Sequence, residues 1–184
     1  EVFVHPFVTQ SQQFNWALDQ LTHPTDWILR LDADEIVTDA LLAEIQTRLG
    51  GLADDVAGVH IGRSMNFLGK PVRRGGVFPI RVLRLFRWGK GRCEDRWMDE
   101  HIRVDGATVD FSGEIIDDNL HSLTWWTEKH NFYACREVVD LLNLEFHFLP
   151  GKASNRPLGS AEGGAKRWIK EHIYARLPGG FRAL

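Results

Sequence analysis

Apolar positions along this chain switch between a helical period of about 3.6 residues and the two-residue period of strands, which sets out a mixed α/β pattern. Residues 1–5, EVFVH, read as a strand. Phe14, Leu18 and Leu21 fall at helical spacing and predict a first helix, and residues 27–31, WILRL, form a short apolar run of buried-strand type. Thr38 is placed to cap a second helix, with Leu41, Leu42, Ile45 and Leu49 as one apolar face and Gly50-Gly51 as its stop. Residues 56–61 and 80–86 read as strands flanking a basic, glycine-rich loop at 68–76. Alternation on either side of Asp105-Gly106 predicts a hairpin of residues 101–104 with 108–111. A strand-like stretch at 115–118 precedes a long helix over 123–142, with Trp126, Tyr133, Val138, Leu141 and Leu142 as candidate core positions.

Helix, strand and helix ahead of a hairpin-rich half predict an α/β layer architecture with a mixed sheet. In open α/β sheets, ligands gather at the carboxyl ends of strands. Asp32-Ala33-Asp34-Glu35 occupies that place after residues 27–31 and is the most informative stretch of the chain. Carboxylates at i and i+2 can converge on one hard divalent cation, which would also relieve the repulsion among three acids in four residues. The plain alternative is an acidic loop that caps the next helix.

Length and charge narrow the class. At 184 residues and 21.0 kDa the chain suits about one domain with a sizeable core. Its 22 Lys+Arg against 25 Asp+Glu, a net charge of -3, exclude a global basic field for nucleic acid, so any phosphate chemistry is local. No run approaches the ~20 apolar residues of a membrane span. Two distant cysteines, Cys93 and Cys135, exclude a zinc ribbon or a disulfide framework, and a cytoplasmic setting is expected.

The expected organisation is a main domain over 1–150, a linker over the polar, glycine-rich residues 151–164, and a basic amphipathic helix within 165–184. That helix sets Trp168, Ile169, Ile173 and Tyr174 beside Lys166, Arg167, Lys170 and Arg176, which suits a peripheral contact with an inner leaflet or docking on the domain. Further sequence is expected before Glu1 and after Leu184.

Other residue types add candidate chemistry. Lys70, Arg73, Arg74, Arg81 and Arg84 cluster around the glycine-rich loop as cations for a phosphate group, or simply as a solvated basic loop. Residues 94–101 carry four carboxylates, Glu94, Asp95, Asp99 and Glu100, which are rivals for any acid–base role there. Trp125 and Trp126 suit a sugar face or the core. Among function classes, a Mg²⁺-dependent phosphotransferase or hydrolase would use the same acids, although the chain lacks a GxxxxGK[ST] loop and a DxDxT pattern. A non-catalytic carbohydrate-binding module is the third class.

Several stretches taken together resemble the GT-A glycosyltransferases of family 2, within them the bacterial lipopolysaccharide-core, capsule and colanic-acid group. They are residues 12–18 (QQFNWAL), 26–35 (DWILRLDADE), 67–71 (FLGKP) with 81–86 (RVLRLF), 94–101 (EDRWMDEH) and 119–121 (NLH). The family's first nucleoside-binding strands are absent from this sequence. The resemblance implies a GT-A fold and inverting transfer from a nucleotide-sugar donor to a glycan or lipid-linked acceptor, with Mg²⁺ or Mn²⁺. It further implies Asp34 as direct metal ligand, Asp32 toward the ribose or a metal-bound water, and His121 completing the metal shell. Glu100 takes the family's base position, six residues before Gly106, with Asp99 as competitor. Asn15, Lys70 and Arg84 are expected at the donor, and Arg73 and Arg74 at an anionic or lipid-linked acceptor.

Overall fold

The computed structural model describes residues 2–22, 25–74, 80–95 and 100–146, together with Ile169, Ile173 and Leu177. The chain divides into two compact units, Glu1–Ser122 and Leu123–Leu184.

In the first unit α1 (Gln10–Asp19) leads to β1 (Trp27–Leu29), β2 (Glu35–Val37) and α2 (Asp39–Arg48). There follow β3 (Val56–Phe67), β4 (Lys70–Val72), β5 (Ile80–Arg87), β6 (Gly91–Cys93), β7 (Ile102–Val104) and β8 (Ala107–Asp118). The main sheet runs β1-β5-β3-β8-β2, with β4 added to β3, and β6 and β7 form a separate pair. β3 and β8 are parallel, whereas β1 and β3 each lie antiparallel to β5. β1, β3 and β8 therefore point the same way, and their carboxyl ends share one edge of an α/β mixed sheet.

Both faces of the sheet are covered. Leu41 of α2 packs with Val59, Ile61, Leu85, Phe111 and Ile115 on one face. Leu18 of α1 packs with Leu83, Phe86, Cys93 and Ile102 on the other. Each helix is capped where side-chain chemistry predicts: Thr9 Oγ1 accepts from Gln12 N at 3.2 Å and Thr38 Oγ1 from Leu41 N at 3.3 Å. α2 is seated further by Glu44, whose Oε2 accepts the backbone N–H groups of Ser112 and Gly113, both at 2.8 Å. Those residues lie where the β3–β8 register slips between His60/Asp110 and Gly62/Glu114, so a side chain satisfies amides that the ladder leaves unpaired. A Cβ at Gly113 would stand 2.5 Å from Leu41 Cα, so only glycine lets α2 lie this close.

Three expectations give way. The hairpin across Asp105-Gly106 does not form: Asp105 N bonds Lys90 O and Ala107 N bonds Asp55 O, each at 2.9 Å, and the chain passes from the small pair into the main sheet. Gly106 makes that crossing with φ 144°, where a Cβ would stand 2.7 Å from Ala57 Cβ and 2.8 Å from the Asp55 carbonyl oxygen. The tight hairpin instead joins β3 to β4 through Leu68 and Gly69, at φ 50° and 73°, both in the left-handed region that two-residue turns require. The strand expected over residues 1–5 is absent among the described residues 2–5, where no strand partner lies alongside. That segment is held by side chains, His5 stacking on Trp16 at 4.5 Å and bonding Gln13 Oε1 at 3.0 Å. Leu42, expected on the core face of α2, is exposed.

The second unit contains α3 (Leu123–Phe146). Of its expected core positions Trp126 and Tyr133 are half-buried, but Val138 and Leu142 are exposed, and the side chain of Leu141 lies outside the described residues. Trp126 stacks on His130 at 3.7 Å, and Lys129 Nζ sits 4.7 Å over the Trp125 ring, so both tryptophans have partners one turn along their own helix. Residues 151–164 lie outside the described residues, as does all of 165–184 except Ile169, Ile173 and Leu177. Among the described residues no helix is long and apolar enough to cross a membrane.

Candidate functional site

The shared carboxyl edge of β1, β3 and β8 carries a chain of alternating charges. β5 contributes its centre. Val59 pairs with Leu85 and His60 with Leu83, which leaves Arg84 as the extra residue of a β-bulge, a device that re-aims a side chain. Arg84 Nη2 donates to Asp32 Oδ2 at 2.9 Å and to Glu35 Oε1 at 2.7 Å. The Glu35 side chain is only 1% exposed and that of Arg84 9%. Glu35 Oε2 also accepts from Asp32 N at 2.9 Å, closing the acidic turn on itself. Arg63 of β3 reaches Glu35 Oε1 at 3.3 Å and donates to Asp117 at the end of β8.

Asp32 is thus held between cations. Burial works to raise its pKa, but the Arg84 guanidinium with its hydrogen bond, helped by Arg30 and Arg63, holds the carboxyl below the usual range. Asp34, two residues on, is half-buried, and its carbonyl accepts from Asp118 N at 2.9 Å. Beside it Asp118 Oδ1 is buried with no hydrogen-bond partner among the described residues. His121 is exposed three residues beyond the end of β8, with its backbone N–H bonded to Asn119 Oδ1 at 3.0 Å.

A second carboxylate reaches this edge from the segment before β7. Glu100 Oε1 lies 3.8 Å from Arg30 Nη2, and Arg30 Nε lies 3.8 Å from Asp32 Oδ1. Asp99 lies outside the described residues. Of the rivals, Glu94 is committed elsewhere: its side chain is buried, receiving Arg103 Nε at 2.6 Å and the His101 backbone N–H at 3.3 Å. Burial opposes its ionisation, but His101 and Arg103 outweigh that and hold its pKa low. Asp95 is exposed.

Other residues singled out from the sequence stand apart from this cluster. Asn15 grips the backbone of Cys93 at both ends, Nδ2 to the carbonyl and Oδ1 from the N–H, each at 2.9 Å; its amide ties α1 to β6. Lys70, Arg73 and Arg74 are exposed on β4 and the residues after it. Arg81 bonds Phe111 O at 2.7 Å across the sheet. Burial, set against Arg30 and reinforced by Glu100 and Glu94, pushes the Cys93 thiol up to about 11, so it stays protonated at neutral pH.

Sequence reasoning missed Arg63, Asp117 and Asp118, and it gave Glu35 no role beyond being the third acid of its turn. Nothing in the sequence pairs β3 with the end of β8, which is where these four meet; the only local signal was the third acid of the Asp32–Glu35 turn. No family model matches the chain.

Among the described residues no group of three or more His, Cys, Asp or Glu gathers as a metal-holding set. Magnesium is commonly held by one or two carboxylates, with substrate phosphates and water completing the shell. Oδ1 of Asp118, whose backbone N–H bonds the Asp34 carbonyl, is the one buried carboxylate oxygen among the described residues that lacks a match, and such an oxygen is costly unless met by a donor or a cation.

Proposed function

We propose that this chain is the metal-dependent catalytic part of an inverting glycosyltransferase of GT-A, family 2 type, moving a sugar from a nucleotide-sugar donor to a cell-surface glycan or lipid-linked acceptor. The observation that carries the reading is the meeting of Asp32, at the carboxyl end of β1, with Glu100 across one guanidinium, with Asp34 in the same acidic turn. Asp32, kept ionised by Arg84, accepts hydrogen bonds from the donor's ribose. Arg84 is thereby committed to the protein's own acids, so its role is to orient Asp32 rather than to meet the diphosphate. Asp34 and Asp118 would hold the divalent cation, with His121 as a further ligand, and a cation there would supply positive charge to the departing diphosphate. Lys70, exposed on β4 and apart from the charge cluster, is a further cation for the phosphates, and Arg73 and Arg74 are assigned to an anionic acceptor.

In the transfer Glu100 removes the proton of an acceptor hydroxyl as that oxygen bonds to the anomeric carbon. The bond from that carbon to the nucleotide diphosphate breaks on the opposite face, and the nucleotide leaves with the bonding pair, so configuration inverts. The residues over 165–184 are the segment proposed to meet the membrane leaflet.

Calorimetric titration of the protein with UDP-, GDP- and ADP-sugars, with and without Mn²⁺, tests the reading. Binding of a nucleotide sugar that needs the metal supports it. Binding of phosphate alone favours a phosphotransferase or hydrolase, and binding of glycan alone a non-catalytic module.

A further inference from the structure

Arg30 directly follows β1, and its backbone N–H donates to the Arg84 carbonyl at 2.8 Å, which anchors it to the bulge. Its side chain, 12% exposed, runs between parts of the chain far apart in sequence. The guanidinium carbon lies 5.1 Å from the centre of the Phe14 ring of α1, and Nη1 approaches Cys93 Sγ at 3.9 Å. An aromatic face and a protonated thiol thus restrict where the group can sit, while its outer edges are given to acids. Nε is 3.8 Å from Asp32 and Nη2 3.8 Å from Glu100.

Two carboxylates gathered on one edge repel each other, and a cation between them turns that repulsion into attraction. A planar guanidinium presents separate N–H edges at fixed angles, so it fixes the direction of each partner as well as its charge; an ammonium cannot do both. The spacing matters too. At 3.8 Å the ions attract without a tight hydrogen bond, so the Glu100 oxygens keep lone pairs for a substrate hydroxyl. Glu94, by contrast, has oxygens already filled by Arg103 and His101.

We infer that Arg30 is a positioning residue that aims Glu100 at the sugar bound beside Asp32, and that it acts on transfer through Glu100. The inference rests on the glycosyl-transfer reading above.

Steady-state kinetics of the protein and of Arg30→Gln, Arg30→Lys, Glu100→Gln and the Arg30→Gln/Glu100→Gln pair test it. Arg30→Gln is expected to lower kcat roughly 10- to 100-fold with donor KM within about threefold, and Arg30→Lys to recover part of the loss. The deciding comparison is the pair: with Glu100→Gln already present, removing Arg30 should cost no more than about twofold, because the residue it works through is gone. Losses that multiply, or a loss confined to donor KM, overturn the inference and leave Arg30 as a packing residue between α1 and β6. Should Arg30→Gln fail to fold by thermal melting, Arg30→Lys in both backgrounds makes the same comparison. Full transfer by Glu100→Gln alone overturns the base assignment itself, and with it the inference, a failure read from a different protein than the first.

Discussion

Arg84 and Glu35, both almost wholly buried, are bonded to each other at 2.7 Å, and the arginine occupies the extra residue of the β5 bulge. Without the bulge Leu83 and Leu85 would share one face, yet they pack on opposite faces of the sheet. The same irregularity that satisfies both cores delivers a cation to the acidic turn.

Removing one member of this pair takes from a buried charge its shortest partner, leaving Glu35 only Arg63 at 3.3 Å or Arg84 only Asp32 at 2.9 Å. Arg84→Met is expected to lower unfolding free energy by about 3–5 kcal/mol, while Arg84→Met with Glu35→Leu costs markedly less. Urea unfolding of the two variants checks this; equal losses would mean that the pair is not what stabilises the turn.

Glu100→Gln keeps the shape of the side chain and removes its proton affinity. Transfer is expected to fall roughly 10²- to 10⁴-fold while donor affinity stays within a few-fold, the signature of a group used in the transition state. If Glu100→Gln retains transfer and Asp99→Asn loses it, Asp99 is the base.

Asp34→Asn should weaken Mn²⁺-dependent donor binding by more than tenfold, about 1.4 kcal/mol or more, and His121→Ala should act in the same direction by less. Asp118→Asn is expected to resemble Asp34→Asn if its buried oxygen meets the cation. Titration calorimetry at fixed nucleotide sugar measures all three, and unchanged metal dependence in Asp34→Asn removes it from the ligand set.

Acid should unfold the protein through a small set of carboxylates. Asp32, Glu44 and Glu94 have folded pKa values below their unfolded ones. Each therefore contributes stability that is complete above the unfolded value, near pH 4, and is lost as pH falls through the lower folded value. Urea midpoints should be nearly flat from about pH 7 to 5 and drop below about pH 4. Glu94→Gln should be less stable at pH 7 and show a shallower acid slope; an unchanged slope would exclude Glu94 as a contributor.

Gly113→Ala places a methyl group against the Leu41 backbone, 2.5 Å from its α-carbon. α2 must then move off β8, and a loss of about 2–4 kcal/mol with a changed near-ultraviolet spectrum is expected. A near-neutral effect would mean that α2 is free to shift.

Local patterns determined much of this protein. The cap at Thr38 was legible, since Thr38 stands just before an apolar helical face, whereas Thr9 was not singled out; of the apolar run 27–31 only Trp27–Leu29 forms a strand, half-buried, with Leu31 exposed, while the acids at its exit were legible because the way out of a sheet is polar. Pairing partners were not legible. Asp105-Gly106 has hairpin chemistry, but Lys90 and Asp55 offer the flanking amides better partners across two sheets, and turn propensity of a few tenths of a kcal/mol yields to such tertiary hydrogen bonds. Nor did the sequence mark the bulge that turns Arg84 from a free cation into a buried partner of Glu35. A bulge is a mismatch between two strands, and neither strand carries it alone. The sequence by itself determined which residue types stand at the end of β1, because burial and polarity are local demands. Only the tertiary structure decided that Arg30 lies between Asp32 and Glu100, because charge meets charge through space and not along the chain.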